Sequence, residues 1–444
     1  HKSFRLMEMN AREAAMAALE KCRRDGAWSG TAIDSIIKKA SLDRREAALA
    51  SRLCLGVLQN TSLCDFYIDC YHSGKKLEPK LRDILRLGVY QLVFLDKIPA
   101  RAAVNESVAL CRSSGLDRAS GLVNAVLRRV SANKNALPEI PEPGTAEHLS
   151  IKYSHPKWMV ERLIGENGYD FTEAFLRCNN IPQKLNIQIN TLRVSAEDYM
   201  RALSRAGIEY VDRGYPPACL ELSGGSVTAL PGFEEGLFYV QDRAARTAVE
   251  IAALRPGMHV LDACAAPGGK SFAAAIKMEN RGSILACDIH EKKLALIRQG
   301  ADRLGINIIE TQARDARNSA PEFMSRFDAV IADVPCSGLG VIGKKPEIRL
   351  KKENEISSLP AIQLDILCNL ADFVKPGGVL LYSTCTVLEK ENEGVVKSFL
   401  GRYNNFELEP FSVNGSAAPT GMYTFWPNVD GTDGFFAARL IRKK

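Results

Sequence analysis

The chain has 444 residues, 46% of them hydrophobic and 25% charged, the balance of a globular protein and more than one ordinary core accommodates. No apolar run is long enough to cross a bilayer and no charged leader opens the sequence, while twelve cysteines with no C-x-x-C pair and six scattered histidines argue against a disulfide scaffold or a zinc site. The net charge of +6 suits a nucleic-acid partner without requiring one, and the expectation is a cytoplasmic protein without membrane or metal.

From about Arg5 to Asn133 the chain reads as helix throughout. Apolar residues recur at three- and four-residue spacing over Ala11–Leu19, Asp43–Leu58, Asp65–Tyr71, Leu77–Phe94, Ala100–Cys111 and Ala119–Val130. Short connections make this a helical bundle, assigned to residues 1–136. Arg101, Arg112, Arg118, Arg128 and Arg129 gather in its second half, as solvated faces or as a phosphate-contacting surface. The stretch L-P-E-I-P-E-P-G from Leu137 to Gly144 marks a linker over 137–145. Helical spacing returns from Ala146 to Asn179, with His155 beside Pro156 read as structural. A strand at Leu185–Asn190, a helix at Ala196–Ala206 and a strand at Ile208–Val211 then form a small α/β insert, assigned to 146–237.

Residues 238–444 alternate strands with helices. Strands are expected at His259–Asp262, Ser283–Cys287, Ile308–Thr311, Ala329–Ile331, Val379–Tyr382 and Phe435–Leu440. Helices are expected at Ser271–Met278, Glu291–Leu304, Leu359–Phe373 and Glu391–Phe399, with another opening near Tyr239. That alternation builds a doubly wound α/β sheet, whose ligands lie at the C-terminal strand edge.

The first strand of this region leads into V-L-D-A-C-A-A-P-G-G-K-S, Val260 to Ser271. Its end resembles a P-loop, but Cys264 stands where that motif needs glycine and Pro267 lacks a backbone donor, so a triphosphate cradle is not formed. What remains is a small-residue turn, Cys264, Ala265, Ala266, Pro267, Gly268, Gly269 and Lys270. Acids follow the next two strands: Asp288 for ribose hydroxyls and Asp315 for an adenine amino group. Ribose and adenine read by acids without a phosphate cradle point to S-adenosylmethionine.

Cys336, in D-V-P-C-S-G, and Cys385, in S-T-C-T, both follow strands at the same edge. Carbon 5 of a pyrimidine is too poor a nucleophile to take a methyl group directly. A thiolate adding to carbon 6 makes carbon 5 enamine-like, and an acid at N3 assists. Asp333 stands where that acid is needed.

Taken together, A-C-A-A-P-G-G-K, D-V-P-C-S-G and S-T-C-T resemble the RNA cytosine-5 methyltransferases with two active-site cysteines. The segments L-R-L-G-V-Y-Q-L, A-A-V-N-E and L-V-N-A-V-L-R-R resemble the NusB family of RNA-binding domains. With Y-S-H-P-K-W between them, the chain is similar over nearly its full length to bacterial 16S ribosomal RNA methyltransferases that join the two. The resemblance implies three parts: a NusB-like all-α bundle, a small α/β RNA-binding insert and a Rossmann-like methyltransferase domain. It implies Cys385 as the nucleophile and Cys336 as the cysteine that assists release. Residues Cys264 to Lys270, with Asp288, Asp315 and Asp333, would bind S-adenosylmethionine. One departure is Gly343-Lys-Lys-Pro-Glu-Ile-Arg349, with glycine and lysine where relatives often carry arginines, so local RNA contacts are expected to differ.

The implied partner is 16S ribosomal RNA with an exposed or flipped cytosine, and two RNA-binding modules on one chain make a monomer the expectation. The same chemistry on transfer RNA is an alternative, as is a non-catalytic ribosome-assembly protein. Retention of both cysteines and all three acids argues against the latter.

Overall fold

A computed structural model describes residues 9–72, 74 and 76–444. The helical reading over residues 5–8 lies outside them. The chain forms two compact units: one is the chain up to Ile181 together with Ile342–Glu353, the other is Pro182–Val341 with Asn354–Lys444.

The first unit is helical. Helices Ala11–Asp25, Ser29–Ala40, Arg44–Gln59, Thr61–Tyr71, Pro79–Phe94, Ala100–Ser113 and Ser120–Ala132 share one core, and Ala146–Tyr153, Lys157–Asn167 and Tyr169–Cys178 follow. Helix Ser29–Ala40 lies within the helical region but outside its six named periodic stretches, because Ser, Gly, Thr and β-branched residues are weak helix formers. Its Ala32, Ile33, Ile36 and Ala40 nevertheless line one face and are buried. The first helix starts on a reciprocal capping box between Asn10 and Glu13. In L-R-L-G-V-Y-Q-L, Gly88 is the point of closest helix approach: a Cβ there would come within 2.4 Å of Leu127 and 3.0 Å of Ser107. Buried Asp83 accepts from Arg23 at 3.0 Å and Arg86 at 2.8 Å, and Arg86 also pairs with Asp65 at 2.6 Å.

His155 is fully buried. Its Nδ1 lies 2.7 Å from the Tyr153 carbonyl and its Nε2 3.2 Å from the Asn179 amide, and burial holds its pKa far below the usual range. It is a structural, neutral imidazole. Helices Ala146–Tyr153, Lys157–Asn167 and Tyr169–Cys178 lie in the same compact unit as the bundle, which ends at Ile181. The segment 342–353 also belongs there: Glu347 accepts from the Ser29 amide at 3.1 Å and hydroxyl at 2.5 Å, and Arg349 reaches the Gln59 carbonyl and Asn180 Oδ1. Of the lysines expected to alter RNA contact, Lys344 and Lys345 are exposed, whereas Pro346 to Arg349 are buried.

The second unit holds two sheets. Strands β1 (Leu185–Ile189), β2 (Tyr210–Asp212), β3 (Cys219–Leu222) and β4 (Phe238–Val240) make a small antiparallel sheet in the order β2-β3-β1-β4. Helix Ala196–Arg205 packs on it through Tyr199 and Leu203. Strand β4 belongs to this sheet, so the region extends past Leu237 and the next helix begins only at Arg243. Strand β3 escapes a periodicity reading because all four of its residues are buried.

The larger sheet comprises β5 (His259–Asp262), β6 (Ser283–Asp288), β7 (Ile309–Ala313), β8 (Phe327–Asp333), β9 (Val374–Thr384), β10 (Phe406–Leu408), β13 (Met422–Phe425) and β14 (Phe435–Arg442). Between β10 and β13, strands β11 (Phe411–Val413) and β12 (Ser416–Ala418) pair separately. Its order is β10-β14-β9-β8-β5-β6-β7. The run β9 to β7 is parallel, β14 is antiparallel, and β13 and β10 share the outer edge of β14. Alternate strand residues feed two cores. Val260, Ile331 and Leu381 pack under helices Arg243–Ile251, Gly269–Lys277 and Glu291–Leu304, while Leu261, Val330 and Leu380 face helices Leu359–Ala371 and Glu393–Leu400. Strand order reverses between β5 and β8, the switch point where doubly wound sheets bind ligands.

Candidate active site

The C-terminal ends of β5, β6, β8 and β9 carry Asp262, Asp288, Asp333 and Ser383-Thr384. After β5 the chain turns through Cys264 to Gly268 into helix Gly269–Lys277. Gly268 holds this turn with φ +112, and a Cβ on it would lie 2.6 Å from the Phe272 ring, so only glycine fits. The helix then brings Lys270 across to β8. Its Nζ donates to Asp333 Oδ2 at 2.6 Å, and Ser383 Oγ donates to Asp333 Oδ1 at 2.8 Å. Lys270 is buried and its ammonium also lies 5.0 Å from the centre of the Phe435 ring.

Cys336 and Cys385 are brought together. Their sulfurs are 3.1 Å apart, both are free thiols, and both are partly exposed. The hydrogen bond to Cys385 is the main cause that pushes the Cys336 thiol up, followed by burial and the charges of Cys385, Glu391 and Asp333. Both causes favour the protonated form of Cys336, and either sulfur can donate across the contact.

A buried polar network fixes the two loops. Glu391 Oε2 accepts from the Ser337 amide at 2.9 Å and from Gln363 Nε2 at 2.8 Å, and Gln363 also donates to the Pro335 carbonyl at 3.0 Å. Ser337 Oγ meets Thr386 Oγ1 at 2.8 Å, Thr384 donates to Asn392 Oδ1 at 2.6 Å, and Asn392 donates to the Thr386 carbonyl at 3.1 Å. The Gly340 amide closes the ring on the Cys385 carbonyl at 3.0 Å.

On the other side of Lys270 lies a cavity of about 180 Å³, lined by Asp262, Cys264 to Pro267, Gly269, Lys270, Asp333 and the Val240–Gln241 segment. Asp262 is buried. Ser271 donates to its Oδ2 at 2.7 Å while Oδ1 has no partner, and burial raises its carboxyl to about 7 against the pull of Ser271 and Lys270. Asp288 accepts the amides of Ala266 at 3.2 Å and His290 at 2.9 Å, which ties the turn to β6. Burial pushes the Cys264 thiol up, so it is inert packing beside the cavity.

The whole chain aligns with a protein of Bacillus subtilis (strain 168) named "Probable ribosomal RNA small subunit methyltransferase B", at 33% identity over 99% of this chain and 100% of that one. The chain belongs to the RsmB/F family of 16S rRNA methyltransferases. The family model, 16S rRNA methyltransferase RsmB/F, matches residues 249–441. The NusB family matches 9–132, and the ferredoxin-like domain of RsmF/B-like methyltransferases matches 155–228. The Klebsiella pneumoniae (strain ATCC 700721 / MGH 78578) ribosomal RNA small subunit methyltransferase B is 32% identical over 98% of this chain and 99% of its own. The solved structure of PH0851 superposes with a TM-score of 0.81 at 28% identity, over 98% of this chain and 99% of that one. An all-α NusB domain, a ferredoxin-like insert and a Rossmann-like sheet are the architecture of this RsmB/F chain.

Not every expected residue converges. Asp315 follows β7 at the same sheet edge, but its carboxylate is held by Arg317, whose Nη2 is 2.6 Å from Oδ2, and that contact pulls its pKa down. Three residues carry no role in the sequence reading. Asp262 gives a signal, an acid closing an apolar strand, but its unpaired oxygen is visible only in the fold. Ile289, directly after Asp288, is 57% exposed, an apolar side chain at a ligand edge. Glu391, six residues past Cys385, looks like an ordinary helix-start acid and is instead the buried centre of the thiol network. Among the described residues no group of three or more His, Cys, Asp or Glu side chains could hold a metal ion, and no helix is long and apolar enough to cross a membrane.

Proposed function

We propose that this chain transfers a methyl group from S-adenosylmethionine to carbon 5 of a cytosine in 16S ribosomal RNA, by way of a Cys385–C6 adduct that Cys336 helps to resolve. The observation that carries the reading is the pair of free thiols 3.1 Å apart beside the Lys270–Asp333 pair, at the switch point of the sheet. The RNA is assigned from the relatives, which are named for the small-subunit ribosomal RNA. One copy of the chain carries every residue of the site, and we place its action in the cytoplasm as a monomer.

The residues fit the cofactor. S-adenosylmethionine brings an ammonium group and two ribose hydroxyls, donors of the kind that the unpaired Asp262 Oδ1 and the carboxylate of Asp288 can accept. Cys264 to Lys270 would hold it along the turn after β5, and exposed Ile289 would offer an apolar face for the base. Asp315 can read the adenine amino group only with lone pairs that Arg317 leaves free. When bound, the cofactor supplies the methyl group.

The protein's own atoms do the rest. Cys385 Sγ bonds to carbon 6 as the C5=C6 pair moves into the ring, and N3 takes up a proton from the Lys270–Asp333 pair. Asp333 already accepts two hydrogen bonds, so Lys270 is the proton-bearing member. After methylation the carbon-5 proton passes to water, its bonding pair re-forms C5=C6 as the Cys385 Sγ–C6 pair leaves with sulfur, and N3 returns its proton to the Lys270–Asp333 pair. The Cys336 S–H stabilises the departing thiolate across the sulfur contact.

Incubation with methyl-labelled S-adenosylmethionine and, separately, deproteinised 16S RNA and transfer RNA tests the substrate. Label in 5-methylcytidine from 16S RNA alone is the expected result. Label only in transfer RNA would overturn the substrate and keep the chemistry, and a labelled nucleoside other than 5-methylcytidine would overturn the chemistry.

A further inference from the structure

We infer that the groove between helices Ala100–Ser113 and Ser120–Ala132 is an RNA-docking groove that seats the backbone of one strand, distinct from the methyl-transfer site and resting on the proposed RNA substrate. The two helices pack as a hairpin joined by a short turn, so they run antiparallel. Between them lies a cavity of about 430 Å³, lined by Asn105, Val108, Ala109, Arg112, Ser120, Gly121 and Asn124. That volume is in the range of ~300–1,000 Å³ usual for small-ligand clefts.

Its charge is organised. Arg101, Asn105 and Arg112 fall on one face of the first helix at helical spacing, and Gly121, Asn124 and Arg128 on one face of the second. Arg118 stands in the turn. The antiparallel hairpin sets Arg112 and Arg118 at one end and Arg101 and Arg128 at the other, about 16 Å apart at the helical rise, a span of several phosphates. All four are exposed, and their guanidinium groups make no hydrogen bond or ion pair among the described residues.

Most arginines elsewhere in this unit are committed: Arg12 to Glu106, Arg23 and Arg86 to Asp83, and Arg82 to Asp65 and Asp69. The acids nearest the groove do not cancel it. Glu106 lies beside Asn105 and is within 3.8 Å of Arg12, Glu13 accepts from Ser113 Oγ at 3.2 Å and from the Asn10 amide at 3.1 Å, and exposed Asp117 stands in the turn beside Arg118. Between the charged ends the groove offers amides of Asn105 and Asn124 and the hydroxyl of Ser120, which can bond a ribose 2′-hydroxyl or a base edge. Free guanidinium groups at both ends of a polar trough fit a phosphodiester strand.

The test uses the full-length protein and deproteinised 16S RNA. Replacing Arg112 and Arg128 by Gln should weaken RNA binding about tenfold or more and reduce the salt dependence of log K by about two. It should raise the KM for RNA while kcat and S-adenosylmethionine affinity stay unchanged. Arg44→Gln with Arg45→Gln, an equal charge loss on another exposed helix end, should change binding little. Gly121→Leu is the uncharged counterpart: a Cβ there meets nothing within 4 Å, so the side chain fills the groove without disturbing the helix. It should weaken RNA binding with the salt slope unchanged. Wild-type affinity in both groove variants, or equal losses in the groove and off-groove pairs, would overturn the groove. A wild-type protein that methylates no RNA would instead strike the proposed function.

Discussion

Cys385 and Cys336 differ in what their surroundings ask of them. The sulfur contact and burial hold Cys336 as a thiol, and in the proposed mechanism Cys385 is the sulfur that attacks. Cys385→Ala is therefore expected to lower turnover by about three orders of magnitude or more, as losing an activated nucleophile does. Binding of S-adenosylmethionine should be unchanged, by calorimetry. Asp262 supplies a pH signature. Its folded carboxyl titrates near 7 because of burial, well above an unfolded Asp. The folded state thus binds the extra proton between those two values, so this group's contribution to stability falls as pH rises from about 4 to about 7. A donor on its unpaired oxygen favours the ionised form, so S-adenosylmethionine affinity should rise from pH 6 to pH 8. Asp262→Asn should flatten that rise and increase the melting temperature of the ligand-free protein at pH 8. A pH profile identical in the variant would remove Asp262 from the cofactor site.

At the scale of the element, the turn after β5 and the network behind the thiols are the parts that cannot drift. Gly268→Ala forces a side chain into a left-handed φ and against Phe272, costing about 1–3 kcal/mol. The loss should appear first as weakened S-adenosylmethionine binding. Glu391→Ala leaves the Ser337 amide and Gln363 without their acceptor. A stability loss of about 2–4 kcal/mol by urea unfolding is expected, with a drop in kcat larger than any change in KM. Strand Leu185–Ile189 and helix Glu291–Leu304 are legible because their apolar residues keep a clear period, and His259–Asp262 because a short apolar run leads into the small-residue turn. Strand β9 begins at Val374, earlier than its apolar run, because Lys375-Pro-Gly-Gly378 forms an irregular start where the register against β8 shifts. Strands β10 to β13 are three or four residues long, too short for any period to show.

At the scale of the whole molecule, the loop motifs of the site could be read from the chain because each small, acidic or thiol residue sits at a strand end that the alternation already places. What could not be read is everything set by partners distant in sequence: the Arg317 clamp on Asp315, the unpaired oxygen of Asp262 and the burial of Glu391. The same is true of Ile342–Glu353, where Glu347 and Arg349 look like surface charges and are anchored within the helical unit by Ser29, Gln59 and Asn180. Removing the NusB domain would therefore strip those buried charges of their partners. A fragment beginning at Pro182 should unfold or aggregate more readily than the full chain, as light scattering on heating would register.

In the proposed mechanism Cys385 bonds to the target cytosine and Cys336 releases it. The most direct measurement incubates the Cys336→Ala protein with S-adenosylmethionine and 16S RNA, isolates the denaturation-resistant complex, digests both polymers and sequences the cross-linked peptide by mass spectrometry. A methylated cytosine nucleotide on the peptide carrying Cys385 is expected, and no complex when Cys385 is also replaced. A nucleotide attached elsewhere, or a Cys336→Ala protein that turns over at the wild-type rate without accumulating any complex, would contradict it.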